Sequence, residues 1–552
     1  MVFTLHRYIF RDLLKTFFLA TVVLSLVLGL GAMLRPLKQF GVAPERVPEL
    51  LFYTLPITLT MVIPIAGLLA TTLNYGRLAV DNEINACRSS GIGMWTLIYP
   101  ALTLALLVGL ATLLLAFHVI PHFTEKFDSI LREDAKAIIF RTIEKTGNLQ
   151  SFGEKFSKNI INADRIDTEN NRLIDVTVVQ LNSQREIENI CTASQVYLDF
   201  ETKAVENRVL LRFIEATNIN LHETGSTEYS TEDVTIACDM PSIGKDDIKF
   251  RRLRDLQAIQ SDLTQFAPIA LIFQDLRRQI MKEAFFYDCD QKLKQSDHSL
   301  LLRTETDQIR LWAAGCKIKT PKSVKRPKEV ISTNFLTNSD ETIQVDLFYP
   351  NRPNEPTKRY QVEEAKLVVK KQAMAGVPVA VLKMNKVKLT FANSSRPSNL
   401  EGAEILSIII PTEFVLQAQQ YTFTDFLRAR KLPVEQPTAY IEWLFRKLSK
   451  ACDELKAEIV MEINARLAFG IGCVVMVLLG AALGIVMKSG HFLTAFGVSC
   501  IPAVVCLTTI FTGKHIGEQG TSDVLQGLVF LWIGIVIITL ANAVLYRKLL
   551  KS

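Results

Sequence analysis

The sequence lacks the motifs that carry the common chemistry of enzymes. No G-x-x-x-x-G-K-[ST] segment occurs, so the chain has no P-loop and cannot drive a process by its own ATP hydrolysis. No H-E-x-x-H, G-x-S-x-G or S-x-x-K arrangement stands in a convincing structural context. These absences predict a protein that is not an enzyme and that binds no cofactor of its own.

The charge and cysteine patterns argue against further classes of protein. The net charge is +6 over 552 residues, without a basic arm or stripe, which argues against a nucleic-acid binder. The nine cysteines include no C-x-x-C pair, so a metal knuckle is not expected, and any disulfide pairing stays open. His118 and His122 are four residues apart, a spacing that can hold a metal on a helix. Because Pro121 lies between them and no third ligand is near, an ordinary interfacial pair is favoured.

Six long runs contain no Asp, Glu, Lys or Arg: Phe17–Leu34, Leu50–Tyr75, Met94–Ile120, Leu467–Met487, Phe492–Gly513 and Val524–Tyr546. Each reaches the roughly 18–25 residues that cross a hydrocarbon core as a helix. Helices are expected because lipid offers backbone polar groups no hydrogen-bond partners. The first run is too long for a signal peptide and lacks a small-residue cleavage site. The fold class is therefore an α-helical polytopic membrane protein with three helices at each end and a large inserted region between.

The basic residues that flank these runs predict the orientation. Nine lie on the side of the termini and four on the other side. Both termini are thus expected in the cytoplasm, and the middle region outside it. The nine are Arg7, Arg11, Lys15, Arg77, Arg88, Lys488, Arg547, Lys548 and Lys551, and the four are Arg35, Lys38, Arg46 and Lys514.

The middle region changes to short strands with alternating apolar and polar residues, most clearly at Lys386–Phe391. Antiparallel, jelly-roll-like β structure is expected. Residues 251–335 look like an insertion, with a helix over Leu253–Phe286 that is broken at Pro268. The predicted division is 1–121 for the first membrane half, 122–436 for the β-rich domain, 437–465 for a connecting helix and 466–552 for the second membrane half.

The connecting helix carries apolar residues at spacings of three to four, and no helix breaker precedes Leu467. We expect it to run directly into the fourth span. A stalk that only packs on the β-rich domain is the plainer interpretation. A lever that transmits motion between the membrane and the middle domain is the alternative.

A short polar segment joins the second and third spans. Asp81 suits an N-cap and Gly91 the position after a C-cap, which predicts a helix at about 79–91. Such a helix can be a simple connector, or it can present the membrane part to a cytoplasmic motor. Gly480 and Gly484, in the fourth span, form a G-x-x-x-G pair that predicts close helix packing.

Several segments together resemble the LptF/LptG (YjgP/YjgQ) permease family. They are Arg7–Phe17, Pro64–Ala70, Gly76–Leu78 followed by Asp81–Glu83, Arg88–Ile92, Glu462–Ala468 and Gly517–Gly520. The G-R-L-x-x-D-N-E sequence with a downstream S-G is the most specific of them. The Glu462–Arg466 segment lacks the paired basic residues that are common in the family, and the middle region is longer than usual.

The resemblance implies the permease subunit of an ABC exporter that takes lipopolysaccharide, or a related anionic lipid, from the inner membrane. The implied partners are a cytoplasmic ABC ATPase dimer that binds ATP, a second permease subunit of the same type, and periplasmic LptC/LptA-type bridge proteins. It places the middle domain in the periplasm. Coupling to the ATPase is expected at Arg77, Asp81, Glu83, Arg88 and Gly91, and binding of lipid phosphates at Arg35 and Lys38.

A function of another class stays open at this point. The chain could be an inner-membrane anchor that transports nothing and whose β-rich domain scaffolds or senses envelope partners. The short cytoplasmic helix separates the two hypotheses, because an exporter needs it to grip an ATPase and a scaffold does not.

Overall fold

We describe the fold from a computed structural model. The structure describes residues 2–40, 47–124, 148–149, 159–167, 172–181, 187–202, 207–221, 227–239, 248–295, 298–304, 306–318, 332–336, 342–349, 356–370, 379–391, 397–429, 438–486, 492–520 and 522–551.

The described part of the chain contains eleven α-helices. They are α1 (Val2–Phe40), α2 (Val47–Val80), α3 (Glu83–Ser89), α4 (Met94–Leu114), α5 (Leu253–Ser261), α6 (Ala267–Leu293), α7 (Thr412–Gln420), α8 (Phe423–Ala429), α9 (Ala439–Val486), α10 (Phe492–Gly517) and α11 (Val524–Lys551). A π-helical turn, Leu115–Val119, continues α4, and helical residues follow as far as Thr124.

Six of these helices are long and apolar enough to cross a membrane. The candidate spans are Phe3–Gly31, Thr54–Val80, Met94–Thr124, Ala439–Val486, Cys500–Gly517 and Val524–Leu550. Three precede the β-strands and three follow them, as the uncharged runs predict. The predicted fold class is confirmed.

The chain divides into two compact units, Met1–Ala267 with Cys452–Ser552, and Pro268–Ala451. The first unit holds the membrane helices. One apolar core joins α1, α2 and α4 to the last part of α9, and includes Leu13, Ala66, Ala101, Val108, Val477 and Ala481. A second core joins α9 to α10 and α11 through Met461, Ala468, Met476, Cys506, Ile510 and Leu531.

The first unit also contains a six-stranded antiparallel sheet in which each strand pairs with the next along the chain. Its strands are β1 (Asn148–Leu149), β2 (Asn159–Asp167), β3 (Arg172–Leu181), β4 (Ile187–Thr202), β5 (Asn207–Leu221) and β6 (Thr227–Asp239). Val176, Val196 and Phe213 are buried on it. Alternating apolar and polar residues also predict strands at 174–178, 195–200 and 208–214, and these segments fall within β3, β4 and β5.

The second unit contains an eight-stranded sheet against which α6 packs. Its order is β14-β13-β12-β11-β8-β7, and β10 pairs with both β12 and β9. The strands are β7 (Ser299–Arg303), β8 (Gln308–Trp312), β9 (Gly315–Ile318), β10 (Ser332–Leu336), β11 (Ile343–Phe348), β12 (Lys358–Lys370), β13 (Val379–Phe391) and β14 (Ser398–Ile409). In β13 the predicted alternation holds, because Val387 and Leu389 are buried while Lys386 and Lys388 are exposed.

Two predictions about helices have opposite outcomes. The helix expected to break at Pro268 ends earlier, at Ser261, and a 3-10 turn separates it from α6. The prediction was wrong because Pro268 lies in the first turn of α6, where its missing N–H costs nothing. In contrast, α9 runs from Ala439 to Val486 without interruption, so the expected continuation of the connecting helix into the fourth span is confirmed.

Candidate functional site

The segment between the second and third spans folds as the short helix α3, but its start differs from the prediction. Asn82, not Asp81, is the N-cap residue, and it has a left-handed backbone with φ of 58°. Asparagine tolerates this region better than most residues do, which explains the position of the helix start. Asn85 Nδ2 donates to Asn82 Oδ1 at 3.0 Å, so the cap is tied to the helix that it begins.

The end of α3 is fixed by Gly91, as predicted. Its φ of 81° needs a residue without a side chain. The N–H of Ile92 donates to the carbonyl of Cys87 at 3.0 Å, and that of Gly91 to the carbonyl of Arg88 at 3.0 Å. This pair of bonds forms a Schellman motif. The short helix therefore has defined ends.

Burial of Ile84 anchors α3 on the membrane helices, since its side chain joins the core that α1, α2 and α4 share. Glu83 is exposed and Arg88 is half-buried. Asp81, just before the cap, is also exposed. The helix thus has an apolar side that is packed and a polar side that carries charges of both signs.

Arg77, near the C-terminal end of α2, forms an ion pair within the chain. Its guanidinium lies 2.6 Å from Oδ2 of Asp12 on α1, while 53% of the arginine side chain is exposed. The pair joins the first two helices next to α3. Asp12 lies 65 positions from Arg77 in the chain, so no local sequence pattern indicates this ion pair.

Gly480 and Gly484 lie where α9 packs against α2. A Cβ at Gly480 would lie 2.8 Å from the carbonyl oxygen of Leu68, and one at Gly484 would lie 2.9 Å from the backbone nitrogen of Gly76. Both distances are too short for a carbon atom, so the two backbones approach as only glycine allows.

Arg35 and Lys38 belong to α1, but their side chains lie outside the described residues. Their proposed contact with lipid phosphates stays a prediction. His118 and His122 are exposed, and no group of three metal-ligating side chains occurs in the described ranges.

A cluster of buried charges, which the sequence reasoning missed, joins α9 and α10. Arg466 Nε donates to Glu462 Oε1 at 2.8 Å, and Lys514 Nζ contacts the other oxygen of Glu462. Only 5% of the Arg466 side chain and 8% of the Glu462 side chain are exposed. Glu518 Oε1 lies 3.6 Å from Lys514 Nζ, so two cations face two carboxylates.

Arg466 also holds a distant part of the chain. Its two terminal nitrogens donate to the carbonyls of Arg251 and Lys249 at 3.0 and 2.9 Å, and its guanidinium lies 5.6 Å from the centre of the Phe117 ring. A signal for this cluster exists in the sequence. Glu and Arg stand four residues apart directly before one uncharged run, and Lys514 directly follows another.

These features define a class of protein. The chain is a polytopic membrane protein with two three-helix halves, an inserted β-rich region and a structured loop helix between its second and third spans. The family described as "Lipopolysaccharide export system permease LptF/LptG" matches residues 7–273 and 312–548. The chain belongs to this family, whose members are transporter permeases and not known enzymes. No curated protein matches the chain significantly.

Family membership implies a permease subunit in lipopolysaccharide export and an association with other Lpt components. The resemblance seen in the sequence is thereby confirmed. Residues 274–311 fall outside the family match and overlap the predicted insertion at 251–335. The limits of that insertion, and of the other predicted domains, stay predictions.

Proposed function

We propose that this protein is the membrane-spanning subunit of an exporter that extracts lipopolysaccharide, or a related anionic lipid, from the inner membrane. A separate cytoplasmic ABC ATPase dimer supplies the energy and binds the ATP, so the chain itself carries no cofactor. A second permease subunit of the same type completes the membrane part, and LptC/LptA-type proteins receive the lipid in the periplasm. Both termini lie in the cytoplasm and the middle region in the periplasm.

The observation that carries this proposal is the construction of α3. A helix that only connects two spans needs neither a fixed start nor a fixed end. Here Asn82 and Gly91 fix the two ends, Ile84 anchors one side, and the charged residues Glu83 and Arg88 remain accessible. Motion of a docked ATPase can be passed to α2 and α4 only through an element that makes different contacts in the two nucleotide states.

Reversing a charge on α3 tests this role. Glu83→Arg should release the ATPase while the protein still inserts in the membrane, because Glu83 is exposed and the core contacts of Ile84 remain. The measurement is co-purification of the ATPase with the detergent-solubilised protein. The control Lys548→Glu, an exposed charge reversal at the end of α11, should keep the ATPase. Normal co-purification and export with Glu83→Arg would mean that α3 is only a connector and would favour the scaffold hypothesis.

The cargo is tested separately at the C-terminal end of α1. Arg35 and Lys38 sit on the side where basic residues are disfavoured, which we attribute to binding of lipid phosphates. A photocrosslinker at Leu37 should capture the exported lipid, and Arg35→Glu with Lys38→Glu should reduce the yield several-fold. Equal yields with and without the charge reversal would point to ordinary contact of the two cations with any headgroup.

A further inference from the structure

An open groove with a volume of about 710 Å³ lies beside the C-terminal part of α4. One wall comes from Leu110, Leu114, His118 and His122, and residues 252–254 at the start of α5 form the other. All of these residues belong to the first compact unit. Among the residues whose side chains the structure describes, the groove is lined by the third span and the start of α5, and by no residue of α3.

The wall from α4 changes in polarity along the helix. Leu110 and Leu114 are 60% and 51% exposed, which is expected of side chains that face lipid. His118 and His122 follow at the same spacing of four residues and are also exposed. The change coincides with the π-helical turn Leu115–Val119, a rare form that is frequent at functional sites.

The opposite wall is held in place by the buried charge cluster. Since Arg466 donates to the carbonyls of Lys249 and Arg251, the chain that follows is fixed next to the end of α4. Arg252 and Arg254 are exposed on this wall. Arg254 makes no ion pair within the part of the chain that the structure describes. The nearby carboxylate of Asp255 accepts the backbone N–H of Arg252 at 3.4 Å, as a helix-capping group does.

We propose that this groove binds one anionic diacyl phospholipid of the surrounding membrane. An acyl chain lies along Leu110 and Leu114, and the phosphate lies between the guanidinium groups of Arg252 and Arg254. The arrangement is complementary to such a lipid, which is apolar at one end and negative at the other. Arginine suits the phosphate because its planar fork donates two parallel hydrogen bonds. Basic pockets beside membrane helices select anionic headgroups for the same reason.

The site goes beyond the proposed export function, because its ligand is a resident lipid and not the cargo. None of its residues belongs to the proposed ATPase contact or to the Arg35 and Lys38 region. Failure of the lipid assignment would therefore leave the export proposal untouched, and the reverse also holds.

Native mass spectrometry of the full-length protein in detergent tests the proposal. Phosphatidylglycerol and phosphatidylcholine with the same acyl chains serve as the two probes. We expect one phosphatidylglycerol to bind about tenfold or more tightly than phosphatidylcholine, since each cation near the headgroup contributes about 1 kcal/mol. Arg252→Gln with Arg254→Gln should abolish this preference. The control Lys317→Gln with Lys388→Gln, which removes two exposed charges elsewhere, should keep it.

A second pair of variants tests the apolar wall. Leu114→Trp should fill the groove and weaken binding of phosphatidylglycerol. Leu106→Trp, at a residue that is 58% exposed on the same helix but outside the groove, should not. Three results would overturn the proposal: equal binding of the two phospholipids, a preference that survives removal of both arginines, or tighter binding of purified lipopolysaccharide than of phosphatidylglycerol at these residues.

Discussion

At the scale of single residues, the buried charges next to the membrane helices are the most informative about which segments depend on one another. Burial removes Glu462 and Arg466 from water. Their lost hydration is compensated by the opposite charges within the same cluster. A buried ion pair adds little to stability, but loss of one partner leaves an uncompensated charge and costs about 3–5 kcal/mol. The cluster therefore makes α9, α10 and the 249–251 segment depend on one another.

The helix α9 also contains an exposed ion pair, which serves as a control for the buried one. Glu462 and Arg466 form a buried pair four residues apart, and Glu442 and Arg446 form an exposed pair at the same spacing. We predict that Glu462→Ala lowers the free energy of unfolding by about 3–5 kcal/mol. Glu442→Ala should change it by about 0.5 kcal/mol or less. Thermal unfolding in detergent measures both, and similar shifts for the two variants would show that the buried cluster is not coupled as described.

Residue identities explain which parts of the site the sequence could predict. Gly91 was assigned correctly because a left-handed position strongly favours glycine. Asp81 was preferred as N-cap because aspartate often has this role, whereas the left-handed backbone selected Asn82. The charge cluster was missed because Lys514 lies 48 residues beyond Arg466 in the chain, and only the packing of α10 on α9 brings them together.

At the scale of elements, the six membrane helices could be predicted because a run without charges has no other stable form in lipid. Alternating apolar and polar residues predicted parts of strands such as β3, β4, β5 and β13, but they did not predict others, such as β2 and β6. The break before α6 could not be placed, since proline is compatible with both the end and the start of a helix. The pairing of β10 with β9 and β12 also needed the structure, because no local pattern specifies which strands pair.

The helix α6 provides a prediction about pH. Glu283 is buried on it and accepts hydrogen bonds from Thr438 Oγ1 at 2.6 Å and Gln279 Nε2 at 2.9 Å. Burial raises the pKa of Glu283 in the folded state, and the two hydrogen bonds oppose this only partly. The stability linked to this group is present below its unfolded pKa of about 4.3 and is lost as the pH rises through the folded value.

The Glu283→Gln variant should not lose stability in this way as the pH rises, because the amide oxygen can accept the same two hydrogen bonds without a charge. The difference in melting temperature between the variant and the unmodified protein should therefore be larger at neutral pH than near the unfolded pKa of about 4.3. Circular dichroism in detergent measures this difference, with the exposed Glu401→Gln as control. A difference that does not change with pH would contradict the assignment.

At the scale of the whole molecule, the distribution of lysine and arginine predicts cytoplasmic termini and a periplasmic middle region. In a background without native cysteines, a cysteine at Ser183 should react with a membrane-impermeant thiol reagent added from outside. A cysteine at Asn85, on α3, should not. Labelling at Asn85 in cells that have no outer barrier would reverse the orientation and remove α3 from contact with any cytoplasmic ATPase.

In the proposed function, α3 couples ATP hydrolysis by a partner to lipid extraction. The most direct measurement reconstitutes the protein in proteoliposomes with its second permease subunit and the ATPase, and follows ATP-dependent release of lipopolysaccharide to a periplasmic acceptor. The unmodified protein and the Lys548→Glu control should release lipid when ATP is added, and Glu83→Arg should reduce release to the level without ATP. Unchanged ATP-dependent release with Glu83→Arg would contradict the claim.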